Sequence, residues 1–242
     1  VTKWATLGDR KLFRIIKYIN GTTQWRQIGF VGDNPSELTL GLFSDADFAG
    51  DKIGQRSTSG VFLALYGPHS FFPLSAQSKK LTATSHSTVE ADIVAADHAI
   101  RMSGLPALPL WERALDRTLS LDVYQDNQAT ARIMTTGRAP TLLIIERTHC
   151  VSISWLSERV LGPDIALHAC MSEVMAAYMF TKHFVNRDKW EAACMLTGVV
   201  IHKQMSTLQH LKDSVPFPAC VATTRFVLMS GAASSADRTA SS

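Results

Sequence analysis

Residues 38–66 read LTLGLFSDADFAGDKIGQRSTSGVFLALY, and this stretch carries most of the information about the fold. Its first apolar run leads into SDAD at 44–47, which predicts a strand that ends in acidic residues. Two glycines within residues 48–55 indicate a loop, and residues 57–66 form a second apolar, partly β-branched strand that Gly67-Pro68 ends. The pattern therefore predicts two strands with a short connection and an antiparallel pairing.

The segments that follow extend this unit into an α/β pattern. A third strand is predicted at 70–76, and STVE at 87–90 matches a capping box that begins a helix. The helix is expected to break at 104–109, and a strand at 119–124 then runs into Asp126. Helices at 145–160 and 173–182 and a strand at 164–170 complete the order βββαβαβα, which predicts an α/β fold with a mixed sheet.

Composition limits the classes of protein that this chain can belong to. It has 242 residues, 46% of them hydrophobic and 19% charged, with a net charge of +3. These values fit a globular protein, and the sequence contains no apolar run long enough to span a bilayer, so no membrane partner is expected. The mild positive charge permits a polyanionic partner. The four cysteines show no metal-binding spacing, so free thiols are expected.

Strand-end carboxylates are the feature most closely linked to chemistry. Asp45 ends the first predicted strand and Asp126 ends the fourth. If these strands are neighbours, the two carboxylates converge at one end of the sheet, where divalent cations could neutralise them and support phosphoryl transfer. Strand-end aspartates also serve as caps or turn formers, and spacing alone leaves both interpretations open.

Several motifs, in a fixed order, resemble one known family. They are GLFSDADFAGD at 41–51, RSTSG at 56–60, SKK at 78–80, STVEAD at 87–92, YQDNQ at 124–128, the helix at 146–158 and AYMFTK at 177–182. Together they resemble the ribonuclease H domain of copia-type LTR retrotransposon Pol polyproteins. Residues 1–37 resemble the end of the preceding reverse transcriptase region. The resemblance implies domains at 1–37 and 38–186, followed by an extension at 187–242. The residues of this extension predict a helix at 189–204 and, because 230–242 are rich in alanine and serine without a core pattern, disorder near its end.

The resemblance also implies a fold and a chemistry. The fold is ribonuclease H-like, with a mixed five-stranded sheet of three antiparallel strands and then strands alternating with helices. The activity is hydrolysis of the RNA strand of an RNA–DNA hybrid by two Mg²⁺ ions, or Mn²⁺, held by four carboxylates. Asp45, Asp92 and Asp126 match the first three metal-binding, catalytic positions, and Tyr178 occupies the fourth.

Two of the four positions depart from the family pattern. Asp92 replaces a glutamate and is shorter by one methylene, whereas Mg²⁺ demands near-ideal geometry. Tyr178 replaces an aspartate and supplies no negative charge at neutral pH. We therefore expect weak or absent cleavage and leave the enzymatic activity open. The alternative is a non-catalytic module that binds nucleic acid, or that binds protein through an apolar patch at residues 142–145.

The resemblance implies partners as well. Arg56, Lys79, Lys80 and Lys182 are the basic residues expected to contact an RNA–DNA hybrid. The reverse transcriptase part of the same polyprotein is the second expected partner. The implied location is intracellular, in a cytoplasmic virus-like particle.

Overall fold

A computed structural model describes residues 6–51 and 54–201. In chain order the helices and strands are α1 (Thr6–Gly21), β1 (Trp25–Gln27), β2 (Thr39–Asp47), β3 (Thr58–Gly67), β4 (Ser70–Lys80), α2 (Thr88–Ala99), α3 (Leu105–Leu115), β5 (Leu121–Gln125), α4 (Gln128–Thr136), α5 (Ile145–His149), α6 (Ile153–Leu161), β6 (Ile165–Ala169), α7 (Arg187–Leu196) and β7 (Val199–Ile201).

Five of the strands form one mixed sheet in the order β4-β3-β2-β5-β6. Strands β2, β3 and β4 pair antiparallel, whereas β5 lies parallel to β2 and β6 lies parallel to β5. The expected fold class is thereby confirmed: a ribonuclease H-like α/β fold, with a meander followed by strands that alternate with helices. Because β2 and β5 are parallel neighbours, their carboxyl ends meet at the same end of the sheet.

Each face of the sheet buries a different kind of side chain. On the helical face, Leu40, Leu42 and Leu121 pack with Ile93 and Ile100 in the main core. On the opposite face the core is aromatic and is covered by the segment Ala176–Phe180; it includes Phe43, Phe62, Tyr66, Tyr124 and Ala177. Burying both faces stabilises the fold by about 25 cal/mol for each Å² of apolar surface removed from water.

The expected break at residues 104–109 is wrong. The chain passes from α2 through a π-helical turn, Ile100–Gly104, directly into α3, with Pro109 inside that helix. Gly104 lies so close to the sheet that a Cβ there would be 3.0 Å from the Leu42 side chain. The glycine and prolines in this segment locally predict a break, but packing against the core keeps the segment helical.

Two expected helices also differ from the structure. Residues 145–160 form α5 and α6, interrupted at Cys150, whose φ of 56° is left-handed. Residues 173–182 form two 3₁₀ turns instead of an α-helix, Ser172–Val174 and Ala176–Phe180. The second turn lies flat on β3, where Gly60 leaves room for the Ala177 carbonyl, and this close packing replaces the predicted helical period.

The expected helix at 189–204 is correct only in part. It ends at Leu196, and Val199–Ile201 form β7, which pairs antiparallel with β1. This ribbon connects the segments before and after the main sheet, a pairing that the sequence did not indicate. Residues 202–204 and the tail expected to be disordered lie outside the described residues. Within residues 6–51 and 54–201, no helix has both the length and the apolar character needed to cross a membrane.

Candidate carboxylate site

Asp45, Asp92 and Asp126 lie together at one end of the sheet. Asp45 is near the end of β2, Asp126 directly follows β5, and Asp92 projects from the second turn of α2. The three carboxylates are close enough for the charges of Asp45 and Asp126 to raise the pKa of Asp92. The fold therefore assembles the three acidic residues that the family resemblance singles out.

Asp45 is a buried carboxylate with two donors on one oxygen. Its Oδ2 accepts a hydrogen bond from the Thr181 hydroxyl and lies 3.4 Å from the Lys182 ammonium. Burial raises the pKa of Asp45, the contacts with Thr181 and Lys182 act in the opposite direction, and the charge of Asp126 raises it further. The net direction is upward, so the loss of hydration outweighs the two donors.

Asp92 is also buried, and each of its carboxylate oxygens has a donor. Oδ1 accepts from the Ala46 backbone N–H at 3.2 Å, and Oδ2 accepts from the Asn127 side-chain amide at 2.8 Å. The pKa of Asp92 is raised to about 7. Burial is the largest cause and the charges of Asp45 and Asp126 act in the same direction, whereas Asn127 and Lys182 lower the pKa. At neutral pH this site therefore holds less negative charge than three ordinary aspartates.

Asp126 is half-buried, and its Oδ2 accepts a hydrogen bond from the Ser172 hydroxyl at 2.7 Å. The next residue, Asn127, caps α4: its side-chain oxygen accepts from the N–H groups of Ala129 and Thr130. One asparagine therefore fixes the start of α4 and holds Asp92. The roles of Ser172 and Asn127 were not predicted from the sequence, although Asn127 lies within the YQDNQ motif.

Tyr178 lies where a fourth carboxylate is expected, and a cation accompanies it. The Lys182 ammonium is 5.0 Å from the centre of the Tyr178 ring and donates to the Ala46 carbonyl at 2.9 Å. Lys182, expected to contact nucleic acid, thus has its ammonium inside the carboxylate site. Lys182 belongs to the AYMFTK motif, but the sequence did not predict its contact with Asp45.

Glu90 does not join the cluster. Its Oε2 accepts from the His86 backbone N–H at 2.7 Å, and its Oε1 lies 3.2 Å from the His149 imidazole. Both side chains are almost fully buried, and Ser87 caps α2 by accepting from the Glu90 N–H. Glu90 therefore has a structural role on the side of α2 turned away from Asp45. Its side chain reaches back as the capping box predicts, but to the N–H of His86, one residue before the Ser87 N–H that a capping box uses. The position of His149 was not predicted.

The other three basic residues lie on or next to the strands beside the carboxylates. Lys79 pairs in register with Ser59 and Lys80 with Thr58, close to the Gly60 that faces Asp45. Arg56 precedes β3, and all three side chains are exposed. Lys80 also forms an ion pair with Asp51 in the loop after β2. The acidic site is thus bordered by exposed positive charge on the side of β3 and β4.

The donor set does not fit a pair of Mg²⁺ ions. It contains three carboxylates, a phenol in place of the fourth and an ammonium 3.4 Å from one of the three. Within the described part of the chain, no group of three or more histidine, cysteine, aspartate or glutamate side chains is arranged to hold a metal ion. Cys170 adds no thiolate, because burial and then the charges of Asp126 and Asp45 raise its pKa to about 12.

The apolar patch expected at residues 142–145 is divided by the fold. Leu142 and Ile145 are buried in the main core, whereas Leu143 is 85% exposed and Ile144 is 52% exposed. Leu142, Ile144 and Ile145 line a cleft of about 540 Å³ beside α2 and α4. Two exposed residues form a smaller surface than the four-residue patch that the alternative interpretation required.

Comparisons with known proteins find resemblance only among solved structures. No family model matches the sequence, and no curated protein matches it. A compost-derived ribonuclease H1, LC11-RNase H1, is similar with a TM-score of 0.39 and 13% identity over 59% of this chain and 92% of that chain. Ribonuclease H1 from the halophilic archaeon Halobacterium salinarum is similar with a TM-score of 0.39 and 9% identity, over 57% of this chain and 90% of that chain.

A prototype foamy virus protease–reverse transcriptase gives a TM-score of 0.37 and 16% identity over 69% of this chain and 21% of that chain. These scores and identities are too low to indicate a function. The functional interpretation therefore depends on the strand order and on the carboxylates themselves.

Proposed function

We propose that this chain is the ribonuclease H module of a copia-type LTR retrotransposon Pol polyprotein, with cleavage of RNA–DNA hybrids weak or absent. One observation carries the proposal: Asp45, Asp92 and Asp126 meet at the carboxyl end of two parallel strands, while Tyr178 replaces the fourth acid. Clustered carboxylates of this kind suit phosphodiester chemistry, and the missing fourth charge is the reason that we expect cleavage to be weak or absent.

The proposed role is to bind the hybrid at the carboxylate end of the sheet. Exposed Arg56, Lys79 and Lys80 border that end and are placed to contact phosphates. Domain boundaries at 38–186, contact with the polyprotein's reverse transcriptase and a location in cytoplasmic virus-like particles belong to the same proposal. Mg²⁺ or Mn²⁺ is the cofactor proposed for a site whose carboxylates have been restored.

Hydrolysis of a hybrid labelled on its RNA strand tests the proposal. The chain is compared with Asp45→Asn and with the double variant Asp92→Glu/Tyr178→Asp, each in Mg²⁺ and in Mn²⁺. We expect the original chain to differ little from Asp45→Asn, and the double variant to cleave at least about a hundredfold faster, the scale of misplacing a ligand by about 1 Å.

Binding is measured separately, by fluorescence anisotropy with the same hybrid in EDTA. Measurable binding together with cleavage by the double variant supports the proposal. A chain that neither binds the hybrid nor gains cleavage from the two restored residues contradicts it, and would favour a protein-binding role instead.

A further inference from the structure

The side chain of Lys182 enters the carboxylate site from the far end of the domain sequence. Its ammonium donates to the Ala46 carbonyl at 2.9 Å and lies 3.4 Å from Asp45 Oδ2. Only 28% of the Lys182 side chain and 6% of the Asp45 side chain are exposed. Salt screens an ion pair with this little exposure only weakly, so the positive charge of Lys182 affects the whole site.

The site needs positive charge. Asp45 and Asp92 are buried, and Asp126 is near enough to repel both. Clustered carboxylates destabilise a fold unless cations or donors compensate them. The charge of Lys182 acts favourably on both Asp45 and Asp92.

Tyr178 helps to hold the ammonium in place. Residues 178 and 182 are linked by a backbone hydrogen bond of 3.0 Å from the Lys182 N–H to the Tyr178 carbonyl. The ammonium also lies 5.0 Å from the centre of the Tyr178 ring, within the range of a cation–π interaction. The Ser78 hydroxyl fixes the turn itself by donating to the Phe180 carbonyl at 2.7 Å.

We infer that Lys182 is the built-in counter-cation of this carboxylate site, and that its ammonium makes folding and hybrid binding independent of a divalent metal. The statement about folding depends only on the contacts of Lys182. The statement about hybrid binding rests on the proposed function. With Tyr178 in place of a fourth carboxylate, the Lys182 ammonium then neutralises part of the remaining negative charge from within the site.

Thermal unfolding of the full chain in EDTA and in millimolar MgCl₂ tests the inference. The chain is compared with Lys182→Met, which removes the charge at similar length, and with Lys79→Met, which removes an exposed lysine at the same end of the sheet. We expect the original chain and Lys79→Met to have the same Tm in both buffers. Lys182→Met is expected to lose about 5–10 °C in EDTA, because it leaves the buried Asp45 carboxylate without its cation.

Mg²⁺ is expected to restore at least about 3 °C to Lys182→Met, because an ion that binds only the folded state stabilises it. If Lys182→Met does not fold, two other experiments test the inference. One measures the Tm of Lys182→Arg with and without Mg²⁺, and the other titrates the original chain with Mn²⁺ and follows binding by electron paramagnetic resonance. A folded Lys182→Arg whose Tm does not change with Mg²⁺, and an original chain that binds no Mn²⁺ at millimolar concentration, support the inference.

A rise in the Tm of the original chain with Mg²⁺, or a Lys182→Met variant as stable in EDTA as the original chain, overturns the inference. Failure of hybrid binding in every buffer contradicts the proposed function and leaves the Tm comparison valid. Hybrid binding that appears only with Mg²⁺ overturns the inference and leaves the proposed function standing.

Discussion

Gly60 on β3 is the register partner of Asp45 on β2, and the missing side chain of Gly60 allows Thr181 to reach the Asp45 carboxylate. A Cβ on Gly60 would lie 2.6 Å from the Ala177 carbonyl oxygen and 2.7 Å from the Thr181 side chain. Both distances are shorter than atomic contacts allow, so a larger residue must displace the turn that carries Thr181 and Lys182. One glycine therefore determines the geometry of the acidic site.

We predict that Gly60→Ala lowers the free energy of unfolding by about 1–3 kcal/mol, the usual cost of overpacking a well-packed site. Urea unfolding followed by circular dichroism measures the change. Gly21→Ala is the matched control, because a Cβ at Gly21 meets nothing within 4 Å and stability should stay the same or rise slightly. Equal stability of Gly60→Ala and the original chain would show that the turn does not pack closely on β3.

Stability is predicted to fall as the pH rises from about 4 to about 7, because burial raises the pKa of Asp92 to about 7. At pH values between the ordinary pKa of an aspartate and about 7, the folded state binds a proton at Asp92 more strongly than the unfolded state does. The stabilising effect of protonation is therefore complete at low pH and is lost as the pH rises through the folded-state pKa. A tenfold difference in proton affinity between the folded and unfolded states corresponds to about 1.4 kcal/mol.

Denaturant midpoints measured across this pH range test the effect, with Asp92→Asn as the variant that removes it. The groups facing Asp92 are Asp45, Asp126, Lys182 and Asn127, so the titration belongs to the cluster as a whole. A pH profile unchanged in Asp92→Asn would assign the dependence to another group.

Hybrid binding is predicted to weaken in the double variant Arg56→Gln/Lys79→Gln. Both side chains are exposed at the carboxylate end of the sheet, so their loss should remove about two phosphate contacts and lower the slope of log K against log salt by about 2. Anisotropy titrations at several salt concentrations measure this slope. Arg113→Gln is the control, since Arg113 is exposed on α3 before the start of β5, at the opposite end of the sheet.

Ser87→Ala is predicted to cost about 1 kcal/mol of stability, the typical cost of losing an N-cap acceptor. The Ser87 hydroxyl accepts from the Glu90 N–H at 3.1 Å at the start of α2, the helix that positions Asp92. Ser87→Asp retains an acceptor and should stay near the original stability in the same unfolding experiment. A similar loss in both variants would mean that the hydroxyl contributes by packing and not by capping.

The elements that the sequence predicted best have strong local signals. The apolar runs within residues 38–66 predicted β2 and β3, and the capping box at Ser87 predicted the start of α2. The elements predicted poorly depend on distant contacts. Residues 173–182 have a helical pattern, yet their packing on β3 at Gly60 requires tighter turns.

The candidate site divides in the same way. Asp45 and Asp126 could be selected because each lies at the end of a predicted strand, and Asp92 because it lies in a recognisable motif. Neither the donors that hold them nor the entry of Lys182 could be predicted, because Thr181, Lys182 and Ser172 come from segments far along the chain. Contacts of this kind depend on the order of the strands in the sheet, and local sequence patterns do not reveal that order.

The sequence by itself determined which side chains were available at the four expected positions, namely three carboxylates and no fourth. It also determined the strands that end at two of these carboxylates. Only the tertiary structure decided how their charge is balanced. The parallel pairing of β2 and β5 brings Asp45 and Asp126 together, and the turn packed against Gly60 delivers the Lys182 ammonium to them. The physical reason is that buried like charges require a compensating partner, and the fold, not the local sequence, selects that partner.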